Sequence, residues 1–164
     1  EETHVKDVFL EQFYVFSAVN RDPRERVITI AFYALIRQCD YQILAGDDAA
    51  RACWFEVDEL PPLAFDHDEI ISKAREHLKI KLKVSPIAFR LLDEQFTMGE
   101  LQRVYELISG HTYDRQNFYR QAMVSGLLEN INEKESSPTR LFRFNDQCYE
   151  DMEDSKSKQN PIDF

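Results

Sequence analysis

The spacing of apolar residues predicts that the first part of the chain is built mainly from strands. Residues 8–19 alternate in polarity and are rich in β-branched and aromatic side chains, which is typical of a strand. Residues 27–36 form an almost continuous apolar run, so we expect a strand that is buried on both faces at the centre of a sheet. A third short strand is predicted at residues 53–57, before Pro61 and Pro62. Together these segments predict a thin sheet.

A turn and a helix complete this part of the pattern. Residues 20–26 combine a proline with polar side chains, as expected for the connection between the first two strands. Across residues 66–83, apolar positions recur at helical spacing, with carboxylates near the start and lysines near the end. Strands followed by a covering helix indicate a layered α and β domain.

The remainder of the chain is predicted to be mainly helical and to begin with a connector broken by Pro86. Thr97 and Glu100 have the spacing of a capping box, which marks the start of a helix. Gly110 suits the residue just past the end of that helix. Asp114 then stands where it would cap a second helix.

The second of these helices is predicted to be amphipathic. Its apolar positions Phe118, Ala122 and Met123 are expected to turn inward. The residues expected to face mostly outward are Arg115, Gln116, Tyr119 and Arg120. A polar loop at residues 129–139 then precedes an alternating strand at residues 140–144. Two helices joined by a short turn and followed by a two-stranded ribbon form the plan of a winged helix-turn-helix.

Composition and charge narrow the classes of partner. The hydrophobic content of 43% is sufficient for packed cores, and the net charge of −10 argues against indiscriminate binding to polyanions or to anionic membranes. No apolar run is long enough to cross a bilayer, and no secretory signal is present in the sequence. The three cysteines are widely spaced, which favours reduced thiols over a zinc site or a disulfide framework. We therefore expect a cytoplasmic protein with no membrane partner.

Three segments in order carry a resemblance to a known family. "EETHV", "RDPRERVITIAFYAL" and "WFEVDELPPLAFDHDEII" together resemble the second half of a Nudix domain. Glu1, Glu2 and Val5 match the end of the Nudix box, and His4 stands where the family has glycine. The resemblance implies that Glu1 and Glu2 are metal ligands, normally for magnesium held against a diphosphate.

The sequence does not contain the rest of that box. The upstream glycine, glutamate and Arg-Glu pair of the box are missing, so we expect Glu1 and Glu2 to be a remnant and this chain not to catalyse hydrolysis. No catalytic residue and no cofactor is therefore assigned. Magnesium is expected only if the box is intact in the full-length protein.

A second resemblance covers the later part of the chain. "QFTMGELQRVYELISGHTYDRQNFYRQAMVSGLLE" followed by "RLFRF" resembles the winged helix of the Nudix-related transcriptional regulators. The family has a characteristic pattern at the start of the second helix, and it is matched here by Asp114, Asn117, Phe118 and Arg120. Gln116 and Tyr119 stand where that pattern has arginine. The resemblance implies a small-molecule effector, either ADP-ribose or a sugar, and a homodimer that reads a double-stranded DNA operator.

These observations predict an α+β fold: a partial Nudix-like α/β/α sandwich followed by a C-terminal winged helix-turn-helix. The expected domains are the end of a Nudix-like domain at residues 1–83, a linker at 84–95, the winged helix at 96–149 and a flexible polar tail at 150–164. The predicted function is that of a ligand-responsive bacterial transcriptional regulator. The residues predicted to contact DNA are Arg115, Gln116, Asn117, Tyr119, Arg120, Arg140 and Arg143.

Two other functions are compatible with the sequence. One is a magnesium-dependent Nudix hydrolase of ADP-ribose or a related nucleoside diphosphate, whose C-terminal domain serves only for interaction. The other is a protein-docking module without either activity, because winged helices also bind proteins. A complete Nudix box upstream of Glu1 would favour the hydrolase, and a degenerate box would favour the sensor.

Overall fold

The computed structural model describes residues 8, 10–41, 52–131 and 140–149. Contacts divide the chain into two compact units, Glu1–His77 and Leu78–Phe164. The strands are β1 (Glu11–Phe16), β2 (Thr29–Tyr33), β3 (Phe96–Thr97), β4 (Leu128–Asn130) and β5 (Leu141–Phe144). The α-helices are α1 (His67–Val84), α2 (Met98–Ser109) and α3 (Arg115–Val124), and short 3-10 helices lie at Gln38–Asp40 and Ile87–Leu91.

In the first unit, β1 and β2 pair as antiparallel strands. Val15 lies opposite Ile30, and the register shifts between Gln12 and Tyr14, so Phe13 is an extra residue in β1. Both strands lie inside the predicted segments, which confirms their type, but they are shorter than predicted.

The prediction that the second strand is buried on both faces is wrong. Ile30 and Phe32 are 54% and 51% exposed, whereas Ala31 between them is buried. In the described part of the chain, β2 belongs to a two-stranded sheet, so its alternate side chains face outward. A continuous apolar run therefore did not identify a central strand.

The predicted third strand is also absent from residues 52–60, all of which the structure describes. This segment contains a turn in which the Glu59 N–H donates to the carbonyl of Glu56 over 3.0 Å. Trp54, Phe55 and Val57 are largely exposed. Apolar residues alone do not form a strand here, because a strand needs a partner for its backbone groups.

The connection between β1 and β2 is held by ion pairs. Arg21 donates through Nε and Nη2 to both carboxylate oxygens of Asp66, over 2.8 and 2.9 Å, and its Nη1 donates to the Thr29 hydroxyl. The Arg21 side chain also lowers the pKa of Asp66. Arg24 pairs with Asp22 at the turn and lowers the pKa of that carboxyl to about 2. The predicted turn at residues 20–26 is thus fixed by one ion pair within it and by one to Asp66 at the start of the α1 segment.

The predicted helix of residues 66–83 is confirmed as α1, one residue further along the chain. Asp68 and Glu69 lie in its first turn and Lys81 and Lys83 in its last, as the helix dipole favours. Only Leu82 of this helix is fully buried. The boundary between the two compact units falls within α1.

The second unit is organised around one aromatic core. Its fully buried large side chains are Tyr105, Phe96, Phe118, Phe142, Leu101 and Leu127. They come from α2, α3, the residue just before β4 and a three-stranded antiparallel sheet in the order β3-β5-β4. The sequence predicted a ribbon of two strands, and this count is wrong because Phe96 and Thr97 pair with Phe142 and Leu141 just before α2 begins.

Residues 84–95, predicted as a linker, contain the 3-10 helix Ile87–Leu91. Ile87 and Ala88 are buried, and the Phe89 ring stacks on Phe144 with 4.3 Å between centroids. Phe89 also lies 5.7 Å from Phe96. These contacts attach the segment to the face of the three-stranded sheet.

A candidate nucleic-acid interface

The first helix of the helix-turn-helix begins and ends as its sequence predicts. The Thr97 hydroxyl accepts from the Glu100 N–H over 3.2 Å, and the Glu100 carboxylate accepts from the Thr97 N–H over 2.7 Å, which completes a capping box. Gly110 follows the helix with φ of 75°, a left-handed conformation that favours glycine. Both cap predictions are confirmed.

A hydrogen-bond network holds the turn between α2 and α3. The Glu106 carboxylate accepts from the Tyr113 N–H and from the Gln102 amide, each over 3.0 Å. The same Gln102 amide donates to the Tyr113 carbonyl over 2.9 Å. The hydrogen bond from Tyr113, followed by that from Gln102, lowers the pKa of Glu106. A charged carboxylate therefore fixes the turn that sets the position of α3.

Helix α3 is anchored through its apolar face. The Asp114 carboxylate caps the helix by accepting from the Asn117 N–H over 2.8 Å. Phe118 and Ala122 are completely buried, and the Phe118 ring lies 5.4 Å from Tyr105 in an edge-to-face arrangement. The prediction that Met123 also turns inward is wrong, because Met123 is 37% exposed near the end of the helix.

The opposite face of α3 carries cations and amides that face solvent. Arg115, Gln116 and Arg120 are exposed, and Asn117 and Tyr119 are half-buried. Arg120 Nη2 donates to the Asn117 side-chain oxygen over 2.6 Å. The structure thus places the five predicted α3 residues on or beside one polar face.

The two predicted wing arginines lie in different surroundings. Arg140, at the start of β5, donates through Nη1 to the Tyr119 hydroxyl over 3.2 Å. The Tyr119 ring also packs against Phe142, with 6.4 Å between centroids. Arg143 is exposed and its Nε lies 4.0 Å from a carboxylate oxygen of Glu94. Residues 132–139 between β4 and β5 lie outside the described residues.

A surface depression of about 410 Å³ brings three of the predicted residues together. Its lining comprises Thr97, Met98, Gly99, Arg115, Tyr119, Arg140 and Phe142. Arg143 is not part of the lining. The depression therefore joins the first turn of α2, the first turns of α3 and the base of the wing.

The sequence interpretation missed the contribution of α2 to this depression. Thr97 was assigned only as a helix cap, and Met98 and Gly99 were given no function. Gly99 was the available signal, because a glycine in a first helical turn exposes backbone N–H groups. Spacing alone could not show that this turn lies beside α3 and the wing.

The predicted metal ligands Glu1 and Glu2 lie outside the described residues. Within residues 8, 10–41, 52–131 and 140–149, no group of three or more histidine, cysteine or acidic side chains could hold a metal ion. In the same part of the chain, no helix is both long and apolar enough to cross a membrane.

Comparison with a family model agrees with this geometry. Residues 88–144 match the NrtR DNA-binding winged helix domain. This range begins at the buried Ala88 and ends at Phe144, the last residue of β5. Over these residues the chain is similar to NrtR, in agreement with the predicted resemblance to the Nudix-related regulators.

One relative among characterised proteins is the ADPR responsive transcriptional repressor NtrR of Acinetobacter baylyi. It is 30% identical over 155 residues, which are 92% of this chain and 62% of the relative. The chain thus spans less than two thirds of the length of that protein.

Solved NrtR structures resemble more than nine tenths of the chain. Shewanella oneidensis NrtR superposes with a TM-score of 0.66 and 26% identity, covering 96% of this chain and 71% of that one. The same protein in complex with a 27mer DNA gives a TM-score of 0.65 and 25% identity, covering 91% of this chain and 70% of that one. A MutT/nudix family protein from Enterococcus faecalis superposes with a TM-score of 0.70 and 27% identity, covering 88% of this chain and 64% of that one. The fold is therefore α+β, Nudix-like and followed by a winged helix, as predicted.

Proposed function

We propose that this protein is a ligand-responsive transcriptional regulator that binds double-stranded DNA through the winged helix. Residues 1–83 would belong to a Nudix-like sensor domain, residues 84–95 would connect it to the winged helix of residues 96–149, and residues 150–164 would form a polar tail. The observation that carries the proposal is the cationic face of α3, exposed on a helix that is anchored by the buried Phe118 and Ala122.

The exposed face of α3 supplies the chemistry that DNA recognition requires. Arginine binds guanine or phosphate through two N–H groups, and asparagine or glutamine reads acceptors and donors on base edges. Because the Asn117 side-chain oxygen already accepts from Arg120, this pair offers donors to the groove. We therefore expect it to favour bases that present acceptors, such as guanine.

The DNA-contacting set that we propose is unchanged from the sequence prediction. It comprises Arg115, Gln116, Asn117, Tyr119, Arg120, Arg140 and Arg143. Gln116 and Tyr119 stand where the family pattern has arginine, so we expect fewer phosphate contacts and a weaker dependence on salt than in a member with both arginines.

We propose ADP-ribose as the effector rather than a sugar, on the strength of the ADPR-responsive repressor to which the chain is similar. Two copies of the winged helix would read a palindromic operator, so the proposed assembly is a homodimer. A regulator that binds chromosomal DNA would act in the cytoplasm.

A selection experiment followed by titration tests this proposal. Duplexes retained by the purified chain are selected from a random pool, and the binding of a selected duplex is then followed by fluorescence anisotropy. We expect a preferred sequence of two related half-sites, and an affinity that changes on addition of ADP-ribose. Arabinose serves as the control sugar.

Each outcome bears on a separate part of the proposal. Retention of every duplex with equal affinity would contradict operator recognition. A response to arabinose in place of ADP-ribose would overturn the effector while leaving the DNA-binding function intact. Sedimentation of the complex reports whether two chains bind one duplex.

The second candidate function is hydrolysis of a nucleoside diphosphate, which the similarity to a MutT/nudix family protein favours. It requires a metal site, and the residues proposed for it, Glu1 and Glu2, are only part of a Nudix box. Incubation of the full-length protein with ADP-ribose and magnesium tests it. Release of AMP that disappears on Glu2→Gln substitution would establish the hydrolase.

A further inference from the structure

We propose that the depression between α2, α3 and the wing binds a single phosphate group of the DNA backbone, which Arg115 and Arg140 hold jointly. This inference rests on the proposed DNA-binding function and gives it a specific geometry. It also assigns a contact to Met98 and Gly99, which belong to the other helix of the motif.

The charges around the depression favour an anion. Arg115 lies at the first position of α3 and Arg140 at the start of β5, so two cations from different elements line the same space. Among the described residues that line it there is no acidic side chain. Two guanidinium groups offer only donors, and a phosphate offers only acceptors.

Tyr119 completes the donor set. Its hydroxyl oxygen accepts from Arg140 Nη1 over 3.2 Å, so the hydroxyl hydrogen remains available to donate. Its ring is fixed against Phe142, which forms part of the lining. The Tyr119 hydroxyl therefore holds Arg140 in position and can itself donate to a phosphate oxygen.

The first turn of α2 supplies backbone donors on the opposite side. In a helix of this length, the N–H groups of the first turn have no acceptor within the helix. In the capping box, the N–H groups of Thr97 and Glu100 already donate to side-chain oxygens. The N–H groups of Met98 and Gly99, beside the depression, are therefore the ones that can donate to a ligand. A Cβ atom built on Gly99 would have only the Thr97 hydroxyl oxygen nearby, at 3.9 Å, so a ligand can approach this backbone closely.

The size of the depression fits a phosphate together with its neighbouring sugar. A volume of about 410 Å³ exceeds what one phosphate needs and leaves space for part of the neighbouring sugar. One phosphate would then be contacted from α2, α3 and the wing at once. This contact would fix the depth at which α3 enters the groove.

The test is a double-mutant cycle on the salt dependence of DNA binding. Anisotropy titrations of a fluorescein-labelled mixed-sequence duplex are made over a range of sodium chloride concentrations. The proteins are wild type, R115A, R140A and the double variant R115A/R140A, each as the full chain. A second cycle pairs R140A with R143A, because Arg143 lies on the same strand but does not line the depression.

The expected result is coupling in the first cycle only. Loss of both arginines should reduce the slope of log affinity against log salt by about 0.9, the value for one phosphate, rather than by about 1.8 for two. The affinity losses of R115A and R140A should be less than additive in free-energy terms. Those of R140A and R143A should be additive.

Other outcomes overturn the proposal in distinguishable ways. A slope change of about 1.8 with additive affinities would place the two arginines on separate phosphates while leaving DNA binding intact. Failure of the wild-type chain to bind any duplex would contradict the proposed function itself. If sodium phosphate, compared with chloride at equal ionic strength, raises the melting temperature only when Arg115 and Arg140 are present, and the DNA cycle shows no coupling, the site binds free phosphate instead.

Discussion

Replacement of Phe118 by alanine tests whether α3 is anchored as the structure describes. The Phe118 side chain is fully buried and lies against two aromatic rings, Tyr105 at 5.4 Å and Tyr113 at 5.8 Å. Removing a buried phenylalanine costs about 3 to 5 kcal/mol, which includes the cavity that is left behind. A unit of the size of Leu78–Phe164 has a total stability of roughly 4 to 13 kcal/mol. The substitution should therefore remove a large share of the stability of this unit.

The assay is urea unfolding followed by circular dichroism at the helical minimum. Phe118→Leu serves as the first control, because it preserves much of the volume and should cost about 1.5 kcal/mol or less. Leu107→Ala serves as the second, since Leu107 is 70% exposed on α2 and its loss should change stability by less than about 0.5 kcal/mol. A Phe118→Ala variant as stable as Leu107→Ala would refute the packing of α3 against α2.

Three further substitutions test the caps and the turn. Thr97→Ala should lower the free energy of unfolding by about 1 kcal/mol through loss of the capping box, whereas Thr97→Ser should retain most of it; equal melting temperatures would contradict the cap. Gly110→Ala forces a Cβ into a left-handed residue and should cost about 1 to 2 kcal/mol in urea unfolding, and no loss would contradict that conformation. Because folding lowers the pKa of Glu106, this carboxylate stabilises the folded state fully at pH values above its pKa in the unfolded chain. The stabilisation is lost as the pH falls through its pKa in the folded protein. Glu106→Gln should therefore destabilise at neutral pH and flatten the loss of stability in acid, and an unchanged pH profile would contradict the network.

Local signals predicted the helices of the winged helix well. The capping box at Thr97, the glycine at position 110 and the cap at Asp114 each act through atoms only a few residues away in sequence. Such features depend little on the rest of the fold. The buried Phe118 and Ala122 follow from the helical period in the same way.

Features that depend on distant partners could not be predicted as well. The continuous apolar run containing Ile30 suggested a central strand, but burial depends on which strands and helices cover it. The two-residue strand β3 has no periodic signal and exists because β5 pairs with it. The depression likewise forms where three elements converge. Nothing in the sequence around Gly99 indicates that α3 and the wing lie beside it.

Binding of DNA by the exposed face of α3 is tested by measuring the affinity for a selected duplex after loss of one cation. Arg120→Ala should weaken binding by about tenfold or more, since a good arginine contact to guanine contributes about 1 to 3 kcal/mol. Arg115→Ala should also weaken binding, through loss of its proposed phosphate contact, and neither substitution should change the melting temperature. Arg75→Ala removes the same charge from an exposed position of α1 and should leave affinity nearly unchanged. Wild-type affinity in both α3 variants, or an equal loss in Arg75→Ala, would contradict the assignment of α3 as the recognition helix.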